Sequence, residues 1–491
     1  MLKPYDIMLV FELLVIISMK LNKIDVNATL EDAKKLIAQE TNVSPALKAM
    51  FELMILIISL LANRLGLNSK NSSKPPSSDP NRKKKNKRNT SGKKAGGQHG
   101  RKVAQLKPVD NPDNIETLKI DKRTLPRDTY TEVGYDKRQV IDIETKIIVT
   151  EYQAQILENS SGKRFTAEFP FNVTRPIQYG ASTKASSVYM SQFQLVPYNR
   201  IEDYFSDQLG LNISTGSFFN FNKEAYDLLA DFEQVAKGKL INSSRVNSDE
   251  TGINVNGKRI WLHTACNEKW THFFPHLKRG YEAMNDIGIL PNFGGVLCHD
   301  HWKPYYLYSC MHSLCNAHHL RELEWSATED KQKWAEKMKA FLIMLNKEVD
   351  DAGGKLTKQQ SSRYQKKYGA ILDEAHKACP APTTIRKPGQ RGRLKKSKSR
   401  NLLERLIDFK ADVLRFMDDV NVPFTNNQGE NDLRMTKVQQ KISGCFRSMD
   451  GAYIFCRVRS YLITCRKHGV SPTDALETLF KGKLPDFIQA D

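Results

Sequence analysis

Cysteine is missing from the first 265 residues of this 491-residue chain; all eight lie between Cys266 and Cys465, and no Cys-x-x-Cys pair occurs. Disulfide-stapled secreted scaffolds are small and cysteine-dense, so that class is excluded and a cytoplasmic setting is expected. Long apolar runs are also lacking. Ile7–Met19 is broken by Glu12, and Phe51–Ala62 carries Glu52. A spanning helix needs about 20 apolar residues, so neither stretch crosses a membrane. The first lacks the basic start and small-residue cleavage site of an export signal. Acid, finally, is scarce in two places. Residues 70–107 hold thirteen Lys/Arg against one Asp, and residues 386–400 hold eight against none. These two segments carry the whole net charge of +20, leaving a neutral body. The implied partner is a polyanion, nucleic acid rather than membrane. What is present is ordinary: 40% hydrophobic and 26% charged residues exclude a wholly disordered or collagenous chain. The length suggests about three domains at roughly 150 residues each.

Leu53, Ile57, Leu60, Leu61, Arg64 and Leu67 recur at helical spacing, so the N-terminal region is read as helices that bury against each other or against a second subunit. The segment from Asn68 is dense in Ser, Asn, Pro, Gly and Lys and cannot bury enough surface to fold alone. It is a solvated linker, a phosphate-neutralising arm, or both. Val140–Tyr152 and Arg164–Val173 alternate like strands. Arg200–Leu209 and Thr215–Phe232 read as two helices around Gly210, with Ser214 or Thr215 as N-cap, a candidate helix-turn-helix. A short strand, Arg245–Glu250, then ends in two carboxylates. Asn256-Gly257 marks a hairpin between Ile253–Val255 and Arg259–Ala265, and Trp270–Pro275 extends the meander. A helix at Tyr281–Ile287 and an apolar strand, Gly294–Cys298, deliver Asp300. Three strands, a helix, a strand carrying an acid, then helices outline a ribonuclease-H-like α/β fold.

Asp249 and Asp300 would close neighbouring strands. Like charges at close range are costly unless a cation sits between them, and hard oxygen ligands suit Mg²⁺. A single Asp in such a place is more simply a solvated turn residue. Glu430, Arg434, Lys437 and Lys441 share one face if their segment is helical, which suits a metal ligand followed by phosphate contacts or, equally, an exposed face with one ion pair. Cys298, His299, His301, Cys310, His312, Cys315, His318 and His319 form a second metal candidate, although free cysteine in an apolar strand is also an ordinary core residue.

Several motifs occur in a characteristic order: NSSKPPSSD and GGQHG; YDKRQVIDI, VTEYQAQI and IQYGASTKASSVYMSQFQLVPYNRIEDYF; then SDETG, LCHDHWKPY, CNAHHLREL, VPFTNNQGENDLR, KVQQKISGCFRS and SYLITCRKHG. Through them the chain resembles the DDE transposases of the insertion sequence 66 family. The resemblance implies that Asp249, Asp300 and Glu430 are the catalytic, metal-binding acids, holding two Mg²⁺ ions (Mn²⁺ in substitution) that cut DNA at terminal inverted repeats and join it to target DNA. It further implies that His318 or His319 and Arg321 approach substrate or support Asp300. One departure stands out: family members carry a Cys-based zinc module ahead of the catalytic region, and here that stretch has no cysteine, so no zinc is expected.

The layout that follows is a helical, self-associating region at 1–67, a basic linker at 68–108, a small β module at 109–175 and a helical DNA-binding region at 176–240. The catalytic domain spans 241–470, with a helical insertion at about 320–420, and a tail covers 471–491. Phosphate contacts fall to Arg82, Lys83, Lys84, Lys85, Lys87 and Arg88 in the linker and to Arg434, Lys437 and Lys441. The expected partners are DNA, further copies of the chain and accessory proteins of the same element, at the bacterial nucleoid. A rival reading is a catalytically inactive transposase relic that only binds DNA.

Overall fold

A computed structural model describes residues 26–40, 43–65, 106–170, 172–381 and 396–489. The linker cations Arg82 to Arg88, the Ile7–Met19 stretch and most of the second basic segment lie outside the described residues. Among the described residues two units emerge, one of residues 106–170 with 203–212 and one of the others. Among the described residues no helix is long and apolar enough to cross a membrane.

Helices α1 (Val26–Gln39) and α2 (Pro45–Leu65) pair near the N-terminus. α2 exposes Leu47, Met50, Leu53, Ile57 and Leu61. The smaller unit holds a two-stranded antiparallel hairpin, β1 (Ile156–Glu158) and β2 (Arg164–Thr166). Asn159 closes its turn by accepting from the Ser161 and Lys163 amides at 3.1 and 2.9 Å. The strand expected over Val140–Tyr152 is absent, and the one over Arg164–Val173 shrinks to three residues. Alternation yields a strand only where a partner ladder exists; Val140, Ile143, Ile148 and Val149 are all exposed instead.

Next come α3 (Ala181–Val188), α4 (Tyr198–Leu209) and α5 (Thr215–Leu228). Gly210 turns the chain after α4 at φ +62°, and Ser214 caps α5 by accepting from the Ser217 amide. The single helix expected over Thr215–Phe232 is two: α5 stops at buried Leu229, and α6 (Ala230–Ile241) restarts with Asp231 and Glu233 in its first turn, where acids favour a helix start.

The centre of the larger unit is a mixed five-stranded sheet. Its strands are β3 (Arg245–Val255), β4 (Lys258–Cys266), β5 (Thr271–His276), β6 (Val296–His299) and β7 (Met311–Leu314), with helix α7 (Tyr281–Ile287) between β5 and β6. The spatial order is β5-β4-β3-β6-β7, antiparallel among the first three and parallel from β3 onward. Asn256 and Gly257, at φ +47° and +78°, make the tight hairpin that the sequence announces. β3 corrects the expected short strand: it runs unbroken through the acids because β4 pairs with it from Asn247 to Val255, while β6 pairs only as far as Asn247. Asp249 therefore sits in mid-strand, yet just beyond the end of the parallel ladder.

Helices cover both sheet edges. α8 (Asn316–Thr328), α9 (Lys333–Asp351), α10 (Lys358–Ala378), α11 (Lys398–Asp408) and α12 (Lys410–Leu414) bury Trp334, Met338, Leu342, Tyr368 and Leu406 in one core that continues into Val296, Cys298 and Leu314 of β6 and β7. α13 (Asn427–Ser443) packs on β3 and β4, and α14 (Met449–Lys467) packs on β5; Leu433 and Phe455 meet Ile253, Leu262 and Phe273 there. Edge strand β5 donates its Thr271 and Phe273 amides to Thr464 and Ser460 of α14, so the edge is not left open. α15 (Pro472–Phe480) and α16 (Asp486–Gln489) complete the unit.

Candidate active site

Three elements meet at the open end of the β3–β6 ladder. Asn247 pairs with Cys298, so Asp249 and Asp300 are each two residues further along two parallel neighbours. Asp300 follows β6, where its Oδ1 accepts from the Trp302 amide at 3.0 Å. The turn is sharp: His301 adopts φ +74°, a conformation uncommon outside glycine and one that costs about 1–3 kcal/mol. Glu430 lies in the first turn of α13.

Asn426 sets where α13 begins. Its Nδ2 donates to the Ser248 carbonyl at 2.9 Å, its Oδ1 accepts from Asn247 Nδ2 at 2.7 Å, and its own amide donates to Cys315 Sγ at 3.1 Å. Both asparagines are buried. Gly429 lies against the Asn426 side chain, with 3.3 Å left for a Cβ. Asn426→Ala should leave the Ser248 carbonyl and the Asn247 amide buried without partners, costing about 1–3 kcal/mol each in the first instance. The expected result is a lower melting temperature together with a fall in any activity that needs Glu430; an unchanged melting curve would remove Asn426 from this role. Asn247 and Asn426 escaped the sequence reading because neither residue type announces a site; the run VPFTNNQGENDLR contained one of them.

Burial first, then the charges of Glu250 and Asp300, and to a smaller degree Glu430, push the Asp249 carboxyl well above the ordinary range. Its one stabilising bond is the Glu250 amide at 2.8 Å. Glu250, the next residue, points to the other face, as strand alternation requires. There Tyr305 Oη donates to it at 2.6 Å, and the Arg279 guanidinium, stacked on Trp261 and Trp302, donates at 2.6 and 2.9 Å. Burial still holds the Glu250 carboxyl above its ordinary range despite these two partners, whereas Asp249 has only one amide to set against burial and its acidic neighbours.

A raised folded-state pKa gives stability that is complete below the unfolded pKa and lost as pH rises through the folded one. Metal-free protein should therefore lose stability on account of Asp249 as pH rises above the ordinary carboxylate range. Asp249→Asn should melt higher than the wild type at pH values above the ordinary carboxylate range, with the advantage shrinking toward pH 4. Equal melting at every pH would show that the acids do not repel one another.

Glu430 Oε1 is buried without a hydrogen-bond partner, 3.8 Å from both His318 Nδ1 and Arg321 Nη2. Of the two candidate histidines, His318 faces the acids; His319 is buried against Asn316 and does not. Arg434, Lys437 and Lys441 all lie on α13, and Lys437 Nζ donates to the Gly252 carbonyl at 2.7 Å. The eight-member Cys/His cluster does not form one centre. His299 bonds His312 at 3.1 Å, Cys298 is in the core, and among the described residues only Cys315, His318 and Glu430 bring three ligand atoms within 4.8 Å of one another.

The donor chemistry of Asp249, Asp300 and Glu430 fits a hard divalent cation: all oxygen, mutually repelling, with a buried carboxylate oxygen lacking a partner. Asp249, Asp300 and Glu430 do not bring three ligand oxygens within 4.8 Å of one another; they would hold their cations as carboxylates spread around a shared space rather than as one tight cluster.

The profile of the transposase IS66 family matches residues 176–454, more than half of the chain, and contains all three acids. A family of unknown function (DUF6444) matches residues 22–107. No curated protein matches the chain.

Proposed function

The chain belongs to the transposase IS66 family, and from that premise we propose that it is a DDE-type enzyme that binds terminal inverted repeats, cuts DNA at their 3′ ends and joins the freed end to target DNA. The observation that carries this reading is the meeting of Asp249 and Asp300 on neighbouring parallel strands with Glu430, whose helix Asn426 fastens to β3. The order of elements, three antiparallel strands, a helix and a parallel strand carrying Asp300, supports a ribonuclease-H-like core.

In this reading Asp249, Asp300 and Glu430 hold Mg²⁺, or Mn²⁺ in substitution. Divalent ions at such a site supply an activated oxygen nucleophile and offset charge on the leaving oxygen. The chain's own residues position and bind. Arg321 and His318 orient Glu430, the rigid sheet fixes the two aspartates, and Arg434, Lys437 and Lys441 meet the DNA backbone. No Ser or Tyr nucleophile is assigned, because direct transfer needs no covalent protein–DNA intermediate. Residues 176–240 would contact duplex DNA, and residues 68–108 would lie along phosphates. The apolar face of α2 would be covered by a second copy of the chain, with accessory proteins of the element as further partners.

The test is cleavage of terminal-repeat oligonucleotides in Mg²⁺ by the wild-type chain and by Asp249→Asn. Cutting that the substitution removes supports the enzyme; specific binding without cutting by the wild type would make the chain a DNA-binding relic.

A further inference from the structure

We propose that Cys315, His318 and Glu430 form a second cation site, selective for a thiophilic divalent ion such as Zn²⁺, which shares Glu430 with the carboxylate centre and silences that centre when filled. The silencing rests on the catalytic reading of Glu430; the binding does not.

The ligand atoms come from two elements. Cys315 is the N-cap residue of α8 and His318 lies three positions on, so both side chains gather at one helix end. Glu430 reaches them from the first turn of α13. All three ligand atoms lie within 4.8 Å of one another, and His318 Nδ1 is 3.8 Å from Glu430 Oε1. Zinc at 2.3 Å from sulfur and 2.0–2.2 Å from nitrogen and oxygen has donors about 3.4–3.7 Å apart, so the cluster needs only a small contraction.

Two further features point to an ion. Both His318 Nδ1 and Glu430 Oε1 are buried with no hydrogen-bond partner, although they face each other. Buried unpaired polar atoms are costly, and a cation between them satisfies both. The Asn426 amide already donates to Cys315 Sγ at 3.1 Å, the outer contact that a metal-bound thiolate uses. Without an ion Arg321 lends Glu430 its positive partner at 3.8 Å, so filling the site exchanges one cation for another. Binding converts the thiol to a thiolate and releases its proton to solvent.

Softness separates the two sites. Sulfur and imidazole select zinc over magnesium, whereas Asp249 and Asp300 offer oxygen alone. In the proposal, Glu430 turned onto a thiolate-bound ion is no longer a free carboxylate for the aspartate centre, which is how filling one site silences the other. The sequence expectation of no zinc rested on the cysteine-free stretch before residue 176; this site draws its ligands from 115 positions apart.

Cobalt is the probe, because a thiolate bound to Co²⁺ gives a charge-transfer absorption that oxygen ligands do not. Full-length metal-free protein titrated with Co²⁺ should develop that band at one equivalent and lose it on adding Zn²⁺. Cys315→Ser should abolish the band, and His318→Gln should weaken binding at least about tenfold. Asp249→Asn should keep both band and stoichiometry. In the Mg²⁺ cleavage assay, Zn²⁺ should inhibit the wild type at concentrations at least about tenfold below those needed for Cys315→Ser, each measured against its own zinc-free rate. No band in the wild type, or a band surviving in a folded Cys315→Ser or Cys315→Ala, overturns the site. Loss of the band in folded Asp249→Asn overturns it too, because the thiolate-bound ion would then depend on Asp249 and would not occupy a site separate from the carboxylate centre. A Cys315-dependent band in a protein that never cuts DNA leaves the soft site standing and sinks the catalytic reading instead.

Discussion

Asp249→Asn and Asp300→Asn should each lower Mg²⁺-dependent strand cleavage at least about 1,000-fold while leaving duplex affinity within about threefold of the wild type. The size follows from what the carboxylates are asked to do. Metal-assisted phosphoryl transfer draws several kcal/mol of its barrier lowering from the ions, and about 4 kcal/mol is already 10³ in rate. Asn keeps the shape of Asp and removes the charge that holds a cation, so the sheet is undisturbed. In the metal-free state Asp249→Asn should remove repulsion with Glu250 and Asp300 and so stabilise the fold. Affinity for DNA should be spared, because in the proposed function it comes from cations on phosphate and not from the acids. Glu430→Gln should behave alike, with a milder loss if Arg321 and His318 still orient the amide. Cleavage at wild-type rate by either Asn variant ends the catalytic assignment. Loss of cleavage together with DNA binding and melting temperature would make the acids structural.

How much of this was legible beforehand differs from element to element. The Asn256-Gly257 turn was plain, because two consecutive positive φ angles need those residue types. So was the strand that delivers Asp300, a short apolar run with an acid at its end. β3 was misread as two pieces: Gly252 and the acids look like an interruption, whereas pairing with β4 carries the strand through them. The strand over Val140–Tyr152 was overread for the converse reason, since alternation says nothing about whether a partner strand exists. At the site, the residue types of Asp249, Asp300 and Glu430 could be named from the resemblance, but their approach to one another could not. That approach depends on Asn426 bonding to two strand residues about 180 positions away. Nor could spacing alone decide between His318 and His319; only the orientation of α8 turns one toward Glu430 and buries the other. Long-range polar contacts are the part a linear pattern does not encode.

Neutralising the linker cations should flatten the salt dependence of DNA binding. Arg82, Lys83, Lys84, Lys85, Lys87 and Arg88 lie in a stretch almost free of apolar residues, so charge is what the segment has to offer a partner. Each phosphate they neutralise contributes roughly 0.9 to the slope of log affinity against log salt. Replacing all six with Gln should therefore reduce that slope by as much as about five units if every one touches phosphate. Over a fourfold change in salt, five units correspond to about 10³ in affinity, so the variant should bind far more weakly at low salt and almost equally at high salt. The loss should be similar on terminal-repeat and random duplexes, because phosphate contacts fix register without reading bases. Cleavage by saturated complexes should be unchanged, since none of the six belongs to the carboxylate centre. Filter binding or fluorescence anisotropy across a salt series decides among the outcomes. An unchanged slope makes the segment a passive tether. A loss confined to terminal-repeat DNA makes it a reader of bases or groove width, in which case the electrostatic account of these six residues fails.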